Sequence, residues 1–561
     1  MADQAEIHRL AQSEDVEERK KAAKELKNIV SILKDKEQAW EDLIRLTSDT
    51  DSSVRWLASD ALWGAFVYVP DKKKAWSDLI RLTSDDDSYV RWDAAEALSN
   101  SFFFIPDKKR GWSDLIHLTS DKDRVVRGSA IYALGIAFAD VPDKKQAWDE
   151  FHPLTSDIDE KVRFHAAGAL GSVFVYVPDK EQAWSDLHRL TFDIEKSVRK
   201  SAADSVGNAF VSIPNKKQAW SDLHHLTFDI ESTVRGFATD ALGRAFVSIP
   251  NKEHAWSDLH RLASDHESSV RKSAAIALAL AFPYVNDKQK AWSDLSQLTK
   301  DSDEFVRQSA AVALGSAFFH IPDKQQAWDD LIRLTADGDS SVRLGATLTL
   351  GSKFPFSYIP DKQQAWNDLI NLMEDHDDFV RGGAASALVL LFPYIPDKQQ
   401  AWDDLRCLKM SKDNFVRMTV ASELSMNFFH IPNKEQAWNF LIELTLDSEG
   451  FVRQGATESL GSLFIHVPDK KHAWNDLHRL SQDKDSFVRT GVGSAIGLAY
   501  SHIPHKNQAW NDLMKLALDE KDYVGAVANH SLGKVSIFKA SESKNQDVFR
   551  KEIENALIFF V

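Results

Sequence analysis

The segment Ile321-Pro-Asp-Lys-Gln-Gln-Ala-Trp-Asp-Asp-Leu-Ile-Arg-Leu334 decides the fold, because variants of it recur along nearly the whole chain. Its tryptophan returns every 36 residues, with a single step of 38 residues. A fixed period of this length is typical of arrays built from one repeated helical or strand unit. The fourteen copies carry Trp40, Trp76, Trp112, Trp148, Trp184, Trp220, Trp256, Trp292, Trp328, Trp366, Trp402, Trp438, Trp474 and Trp510.

Each copy predicts two helices, of which the first is called helix A. It opens at an Asp or Asn five residues before the tryptophan, where a short oxygen-bearing side chain can accept hydrogen bonds from free first-turn amides. Asp323 is an example, with Gln326 as its capping-box partner. In the last copy His505 stands at the cap position in place of Asp or Asn. Pro322, directly before the cap residue Asp323, helps to end the preceding helix. The tryptophan and the leucines three and six residues later form the core stripe of helix A.

The second helix, helix B, follows an acidic turn such as residues 48–51, and acidic groups favour a helix amino terminus. Its pattern is Val-Arg followed by an apolar residue every four positions, as in Ala58, Leu62 and Phe66 after Arg55. The small alanine allows neighbouring helices to approach, and the larger residues fill the space beyond it. Glycines eight positions after the arginine are predicted to permit the same close packing: Gly135, Gly171, Gly207 and Gly243.

Both ends depart from the repeat, as the terminal units of a solenoid must because they face water. Residues 1–34 are predicted to form a degenerate, charged first repeat, residues 35–538 the fourteen full repeats, and residues 539–561 a capping helix. Gly525 and Ser536 replace the arginine and phenylalanine of the last repeat, and two extra residues within 354–360 explain the 38-residue step. The predicted fold is an all-α, right-handed α-solenoid, or superhelix, of about fifteen repeats.

A leucine-striped helix, an acidic turn, then Val-Arg and Ala-x-x-x-Leu resembles the HEAT repeat over residues 3 to about 538. More narrowly, it is similar to the HEAT-like repeats grouped with phycobilisome (PBS) lyases in prokaryotic proteins. The resemblance implies that Asp49 and Arg55, and likewise Asp85 and Arg91, make hydrogen bonds between repeats. It implies little about function, because HEAT arrays serve many roles.

The composition narrows the class of partner. Lys and Arg total 68 against 84 for Asp and Glu, a formal charge of −16, which disfavours nucleic acid because phosphate binding needs basic side chains. Cys407 is the single cysteine, so no internal disulfide is expected. The amino terminus lacks the basic start and apolar core of a signal peptide, and the apolar runs are too short to span a membrane. These features predict a soluble, cytoplasmic protein with no membrane partner.

Patterns for chemistry are sparse, and no metal or organic cofactor is predicted. Deoxyhypusine hydroxylase resembles a HEAT array with several His-Glu iron-binding pairs, whereas this sequence has His266-Glu267 alone, in an acidic turn. His430, His466 and His502 share one column, but packed helices about 8 to 10 Å apart are too open for an ion with ligands at about 2.1 Å. A hydroxylase-like or phycobilin-lyase-like enzyme stays an alternative. Another column is interpreted as half-buried packing residues: His188, His224, His260 and His478.

The informative positions are those that vary between otherwise similar repeats. On helix B, the residue after the arginine and those four and eight positions later form a stripe opposite the core series. In HEAT arrays the B helices line the concave face, so by resemblance this stripe is the candidate surface for a protein or peptide partner. The predicted function is a non-catalytic interaction scaffold, and a passive structural spacer is an alternative. The candidate contact residues are Trp56, Trp63, Trp92, Tyr132 and Phe164.

The strongest anchor is predicted near the amino end. The three candidate tryptophans there are the only ones outside the repeat pattern, and tryptophan is enriched among residues that dominate binding energy. Local overpacking against the charged first repeat, or drift on an unconstrained face, is the competing interpretation. Acidic neighbours favour a basic-aromatic or basic-apolar peptide: Asp60, Asp93 and Glu96.

Overall fold

The computed structural model describes residues 4–351, 356–467 and 469–560, and these form helices joined by short turns, with no strand among them. The chain divides into two compact units, residues 1–287 and 288–561. Each unit is a stack of two-helix repeats, which confirms the predicted all-α solenoid. None of the described helices combines the length and the apolar character that crossing a membrane requires.

In the first unit, A and B helices alternate along the chain, and short 3-10 turns end many of the B helices. The B helix of the second repeat is interrupted at Ala61. The A helices are Gln4–Ala11, Lys36–Leu46, Lys72–Leu82, Lys108–Leu118, Lys144–Phe151, Lys180–Leu190, Lys216–Leu226 and Lys252–Leu262. The B helices are Val16–Ile29, Ser52–Asp60 with Leu62–Phe66, Ser88–Ser101, Arg124–Ala137, Glu160–Val173, Lys196–Ala209, Ser232–Ala245 and Ser268–Ala281.

The second unit continues the alternation and closes with one further helix, Gln546–Phe560. Its A helices are Lys288–Leu298, Lys324–Thr335, Lys362–Leu372, Lys398–Cys407, Lys434–Leu444, Lys470–Leu480 and Lys506–Leu516. Its B helices are Glu304–Ala317, Ser340–Gly351, Asp378–Leu391, Asn414–Asn427, Gly450–Leu463, Ser486–Ala499 and Asp522–Glu542.

The helix caps predicted from the sequence are present. Asp323 accepts a hydrogen bond from the backbone amide of Gln326 at 3.0 Å, which satisfies one of the free amides of that helix end. Among the A helices whose caps are described, the one that begins after His505 has no side-chain cap bond. The repeat therefore fixes the start of helix A through one side chain.

The lysine after each cap completes the junction between repeats. The Nζ of Lys72 donates hydrogen bonds to the backbone oxygens of Phe66 and Val67, both at 2.8 Å, and to that of Val69. These backbone oxygens lie at and just beyond the carboxyl end of helix B, where no amide of the helix is left to bond them. Burial lowers the pKa of Lys72. The Pro-Asp-Lys segment thus ends one helix and starts the next, a role of the lysine that the sequence interpretation missed.

The core lies between the two helices of each repeat and between successive B helices. The rings of Trp40 and Phe66 meet edge to face with centroids 5.9 Å apart, and Leu62 is fully buried beside them. Gly207 allows the B helices to touch, because a Cβ there would lie 2.7 Å from the Cα of Ala241. Both the core series and the packing role of the helix-B glycines are confirmed.

The two ends have their own features. In the first repeat Ile7, Leu10 and Leu26 are buried, so this charged unit still forms a two-helix repeat. The last B helix runs to Glu542, so the predicted boundary after residue 538 falls inside it. Residues 352–355, which include part of the predicted two-residue insertion, lie outside the described residues.

Candidate functional site

Arginines in the first turn of the B helices join each repeat to the next. Nε and Nη2 of Arg307 donate to the two carboxylate oxygens of Asp337, both at 2.8 Å, while Nη1 donates to the Asp301 backbone oxygen at 2.9 Å. The bonds from Arg307 lower the pKa of Asp337. Arg19 binds Asp49 in the same way. The inter-repeat role implied by the resemblance is confirmed for Asp49, for Arg55, which binds Asp87 at 2.6 Å, and for Arg91, which binds Asp123. It is wrong for Asp85, whose carboxylate accepts a hydrogen bond from the backbone amide of Asp87 in its own turn.

Polar pairs also connect successive A helices. The indole of Trp40 donates to Asp78 Oδ2 at 3.0 Å, and Nδ1 of His188 lies 2.5 Å from Asp222 Oδ2. His188 is half-buried, as the packing interpretation predicted, and its bond to Asp222 adds a link to the next repeat. Burial raises the pKa of Asp222. These titratable groups therefore have structural roles.

The histidines considered for metal binding do not converge. His266 and Glu267 are exposed, and His266 Nε2 lies 3.8 Å from Glu267 Oε1. The ring of His466 packs edge to face on Phe429 with centroids 4.7 Å apart, and His502 Nδ1 lies 2.7 Å from Ser501 Oγ. In the described parts of the chain, no group of three His, Cys, Asp or Glu side chains could hold a metal ion.

The candidate contact residues on the B helices lie at or near the surface. Trp56, Trp63 and Trp92 are 44–52% exposed, and Tyr132 is exposed as well. Phe164 is half-buried, with its ring 4.9 Å from that of His165. The tryptophans thus present large apolar area to solvent in two adjacent repeats, although other repeats place Gly or Lys in the same column. These three tryptophans are called the tryptophan patch below.

Asp93 directly follows Trp92 of the tryptophan patch in the chain. It is 9% exposed and accepts a hydrogen bond from the hydroxyl of Ser59 on the neighbouring B helix. Burial raises the pKa of Asp93 to about 6, and the nearby carboxylates of Asp60 and Glu96 add to the shift. Lys27 pairs with Asp60 at 2.5 Å, whereas in residues 4–351 no lysine or arginine forms an ion pair with Asp93. The patch therefore combines aromatic surface with an excess of negative charge.

Two further apolar surfaces were not predicted. In the second unit, exposed rings lie at the start of five successive B helices, and those of Phe451 and Phe487 are in contact, tilted by 36° with centroids 5.0 Å apart. In the first unit, three turns carry exposed isoleucines. A comparison of repeats column by column would reveal both. The rings are Phe379, Phe415, Phe451, Phe487 and Tyr523, and the isoleucines are Ile158, Ile194 and Ile230.

Stacked two-helix repeats joined by the same side-chain links define an α-helical repeat protein of the solenoid class. Residues 5–99, 49–135, 257–351 and 294–389 match the sequence model of HEAT repeats. The chain is a HEAT-repeat protein. Its narrower assignment to the PBS-lyase group stays a prediction. No curated protein matches the chain in sequence.

Solved structures with the same fold include large HEAT solenoids. A chain of the Kap95:Nup1 complex has a TM-score of 0.60 at 15% identity, covering 99% of this chain and 80% of that one. A chain from a complex of Kap95p with RanGDP has a TM-score of 0.57 at 13% identity, with 99% and 83% covered. Importin beta crystallised in polyethylene glycol has a TM-score of 0.54 at 12% identity, covering 99% of this chain and 87% of that one. At these identities the likeness shows the fold alone.

Proposed function

We propose that the protein is a non-catalytic scaffold that binds an extended segment of a partner protein along its B helices, with the tryptophan patch as anchor. The observation that carries the proposal is the exposure of Trp56, Trp63 and Trp92 in adjacent repeats. Exposed tryptophan is disfavoured unless it is used, and it is enriched at the centre of interfaces. Tyr132 and Phe164 extend the same surface into the next two repeats.

The charge of the patch selects the chemistry of the partner. Asp60 and Glu96 follow Trp56 and Trp92 by four residues on the same B helices, and both lie near Asp93. A cation is attracted both by carboxylates and by the faces of indole rings. A segment that carries Arg or Lys next to apolar or aromatic residues therefore fits the patch. The net charge of −16 favours the same basic partner over nucleic acid.

Other observations support a scaffold over the alternatives. The similar solved structures include complexes with Nup1 and RanGDP, so the fold can serve as a protein-binding surface. A hydroxylase needs convergent His and Glu ligands, and the described His and Glu side chains are dispersed. A passive spacer would have no use for the exposed side chains of the tryptophan patch. We place the scaffold in the cytoplasm, where a reducing environment would keep the exposed thiol of Cys407 free.

The test uses a double variant, Trp56→Gln with Trp92→Gln, which removes aromatic surface without changing charge. Binding of a 12-residue peptide of alternating Arg and Leu is measured by fluorescence anisotropy. We expect affinity to fall at least about tenfold while the melting temperature is unchanged. The matched control is Tyr176→Ser, which removes an exposed ring at a column where the next repeat has Ser212.

The two failures of this test are distinct. Retained affinity in the double variant would exclude the tryptophan patch as the anchor. A lower melting temperature would instead assign the two tryptophans to packing against the first repeat. A peptide with Glu in place of Arg should bind weakly to the wild-type protein, and equal binding would contradict the proposed selection for cations.

A further inference from the structure

A row of apolar side chains follows the A–B turns of three successive repeats in the first unit. We call Ile158, Phe192, Ile194, Phe228 and Ile230 the turn ridge. Its isoleucines are 87–98% exposed. The other repeats have polar, charged or glycine residues in the isoleucine column: Thr50, Asp86, Lys122, His266, Ser302, Gly338, His376, Lys412, Ser448, Lys484 and Glu520.

The fold does not need these isoleucines. The turns that carry them have the same inter-repeat bonds as turns without isoleucine, for example Arg199 Nε to Asp229 Oδ2 at 2.6 Å. An isoleucine that stays almost fully in water gains no burial energy, since that energy is proportional to the apolar area removed from water. Exposed apolar side chains grouped on one surface mark an interaction site in soluble proteins.

The phenylalanines make the row continuous, because each one contacts the A helix of the following repeat. The ring of Phe192 stacks on His225 with centroids 4.9 Å apart. The guanidinium carbon of Arg261 lies 3.7 Å from the centroid of the Phe228 ring. Bonds from Arg261 to Thr227, of which the shorter is 2.6 Å, hold that guanidinium in place. The ridge is thus a fixed strip that runs from repeat to repeat.

The two sides of the strip differ in charge. Glu195 and Glu231 follow the isoleucines directly and begin B helices, and neither side chain makes a cap hydrogen bond in this part of the described chain. Lys196 pairs with Glu231 at 3.2 Å and neutralises part of this acidic side. On the A-helix side lie Arg189 and Arg261, which donate to threonines of the preceding turns.

We propose that the turn ridge is a second binding surface, and that it seats one amphipathic helix of a partner protein. Adjacent packed helices lie about 8 to 10 Å apart, so the three isoleucines repeat at about that distance. Seven residues of an α-helix rise about 10.5 Å. A helix with an apolar residue at every seventh position therefore meets each isoleucine in turn, over at least about fifteen residues.

Charge completes the match and sets the orientation of the helix. Acidic residues on one side of its apolar seam face Arg189 and Arg261, and basic residues on the other side face Glu195 and Glu231. Such flanking charges choose partners and orientation in paired helices. The turn ridge lies on the turns and the tryptophan patch on the B helices, so this inference does not depend on the proposed function.

The experiment uses a triple variant, Ile158→Ser, Ile194→Ser and Ile230→Ser, because sister repeats have Ser302 and Ser448 in this column. The probe is a 24-residue helical peptide with leucine at every seventh position, glutamate along one flank and lysine along the other. A peptide of the same composition with the leucines scrambled is the comparison. The matched control variant removes exposed apolar residues at the other end of the same repeats: Val175→Ser, Val211→Ser and Val247→Ser.

We expect the probe to bind the wild-type protein and the valine variant equally, and the isoleucine variant at least about tenfold more weakly. The scrambled peptide should not bind. Equal binding by the isoleucine variant, no binding to the wild type, or a lower melting temperature in the isoleucine variant than in the valine variant would each overturn the proposal. Two other results would replace it. A dimer in sedimentation that the isoleucine variant loses would assign the turn ridge to self-association. Flotation with phosphatidylserine vesicles that the isoleucine variant loses would assign it to a membrane surface.

Discussion

Asp93 is a carboxyl group buried between two B helices, at a position where sister repeats have Ser129, Ser201 or Gly383. Among the described residues its one side-chain donor is the Ser59 hydroxyl, and burial raises the pKa of Asp93 to about 6. Ionisation of Asp93 is therefore less favourable in the folded protein than in the unfolded chain, and this difference destabilises the fold when the carboxyl group is charged. The same carboxylate would gain most from a cation supplied by a partner.

We predict that Asp93→Asn stabilises the protein at pH 7.5 and changes little at pH 4. The folded-state pKa is raised, so the folded protein binds more protons than the unfolded chain between about pH 4 and 6. The unfolding free energy contributed by Asp93 is therefore highest below that window and falls as the pH rises through it. Asparagine cannot ionise, so the variant avoids the cost of a buried charge. We expect its free energy of unfolding at pH 7.5 to be higher by about 1 to 3 kcal/mol, measured by urea unfolding.

Asp337→Asn is the control of opposite sign. Its ion pair with Arg307 lowers the pKa of Asp337, so this carboxylate stabilises the fold above its unfolded pKa and ceases to do so as the pH falls. The variant should be less stable than the wild type at pH 7.5. Equal stability of Asp93→Asn and wild type at both pH values would contradict the buried, unpaired state of Asp93.

The residue-scale features that the sequence predicted are those that act locally. An Asp or Asn cap bonds amides two or three residues away, so a cap such as Asp323 follows from its position alone. The lysine cap was missed because the Nζ of Lys72 reaches back across the turn to carbonyls of another helix. Its presence after the cap in every repeat was the available signal. The burial of Asp93 depends on two helices packing together, which no local pattern specifies.

At the scale of helices, the contact between B helices of adjacent repeats limits which residues fit. We predict that Gly207→Ala destabilises the protein by about 1 to 3 kcal/mol, because the new Cβ would overlap the backbone of Ala241. Gly64→Ala is the matched control, since no heavy atom lies within 4 Å of a Cβ built there. Alanine at residue 64 should be neutral or stabilise by up to about 1 kcal/mol through helix propensity.

Thermal and urea unfolding of the two glycine variants measures this difference. If Gly207→Ala were as stable as Gly64→Ala, the B helices would be less closely packed than described. Helix positions were predictable because the 36-residue period repeats each start and stop. The interruption at Ala61 was not, because the residues there follow the same apolar series as in unbroken B helices.

At the scale of the whole molecule, each repeat is linked mainly to its neighbours. We predict that deletion of residues 216–251 leaves a folded array, because Asn215 then precedes Lys252 and the cap junction is restored with the same residue types. Circular dichroism should show undiminished helicity per residue and a cooperative melt. Loss of most helical signal would contradict nearest-neighbour stability.

The whole-molecule fold was predictable, whereas the exposed aromatic and apolar surfaces were only partly so. A period shared by fourteen repeats identifies the solenoid. The tryptophan patch was found because tryptophan is conspicuous among variable columns. The turn ridge was overlooked because isoleucine in an acidic turn looks like ordinary variation until its exposure is known. The chemistry of a partner is inferred from such surfaces, whereas the repeat pattern indicates only how the helices pack.

The Pro-Asp-Lys junction has a consequence for the history of the protein. Every junction presents the same lysine to the next helix, and all but the one at His505 present an Asp or Asn cap. A gene that gains or loses one repeat by unequal recombination therefore still encodes compatible neighbours. Copy number can then change without a new interface having to evolve. The exposed side chains on the B helices and turns take no part in the junction and can diverge independently. Lineages of such proteins are therefore expected to differ in length by whole repeats while acquiring separate ligands.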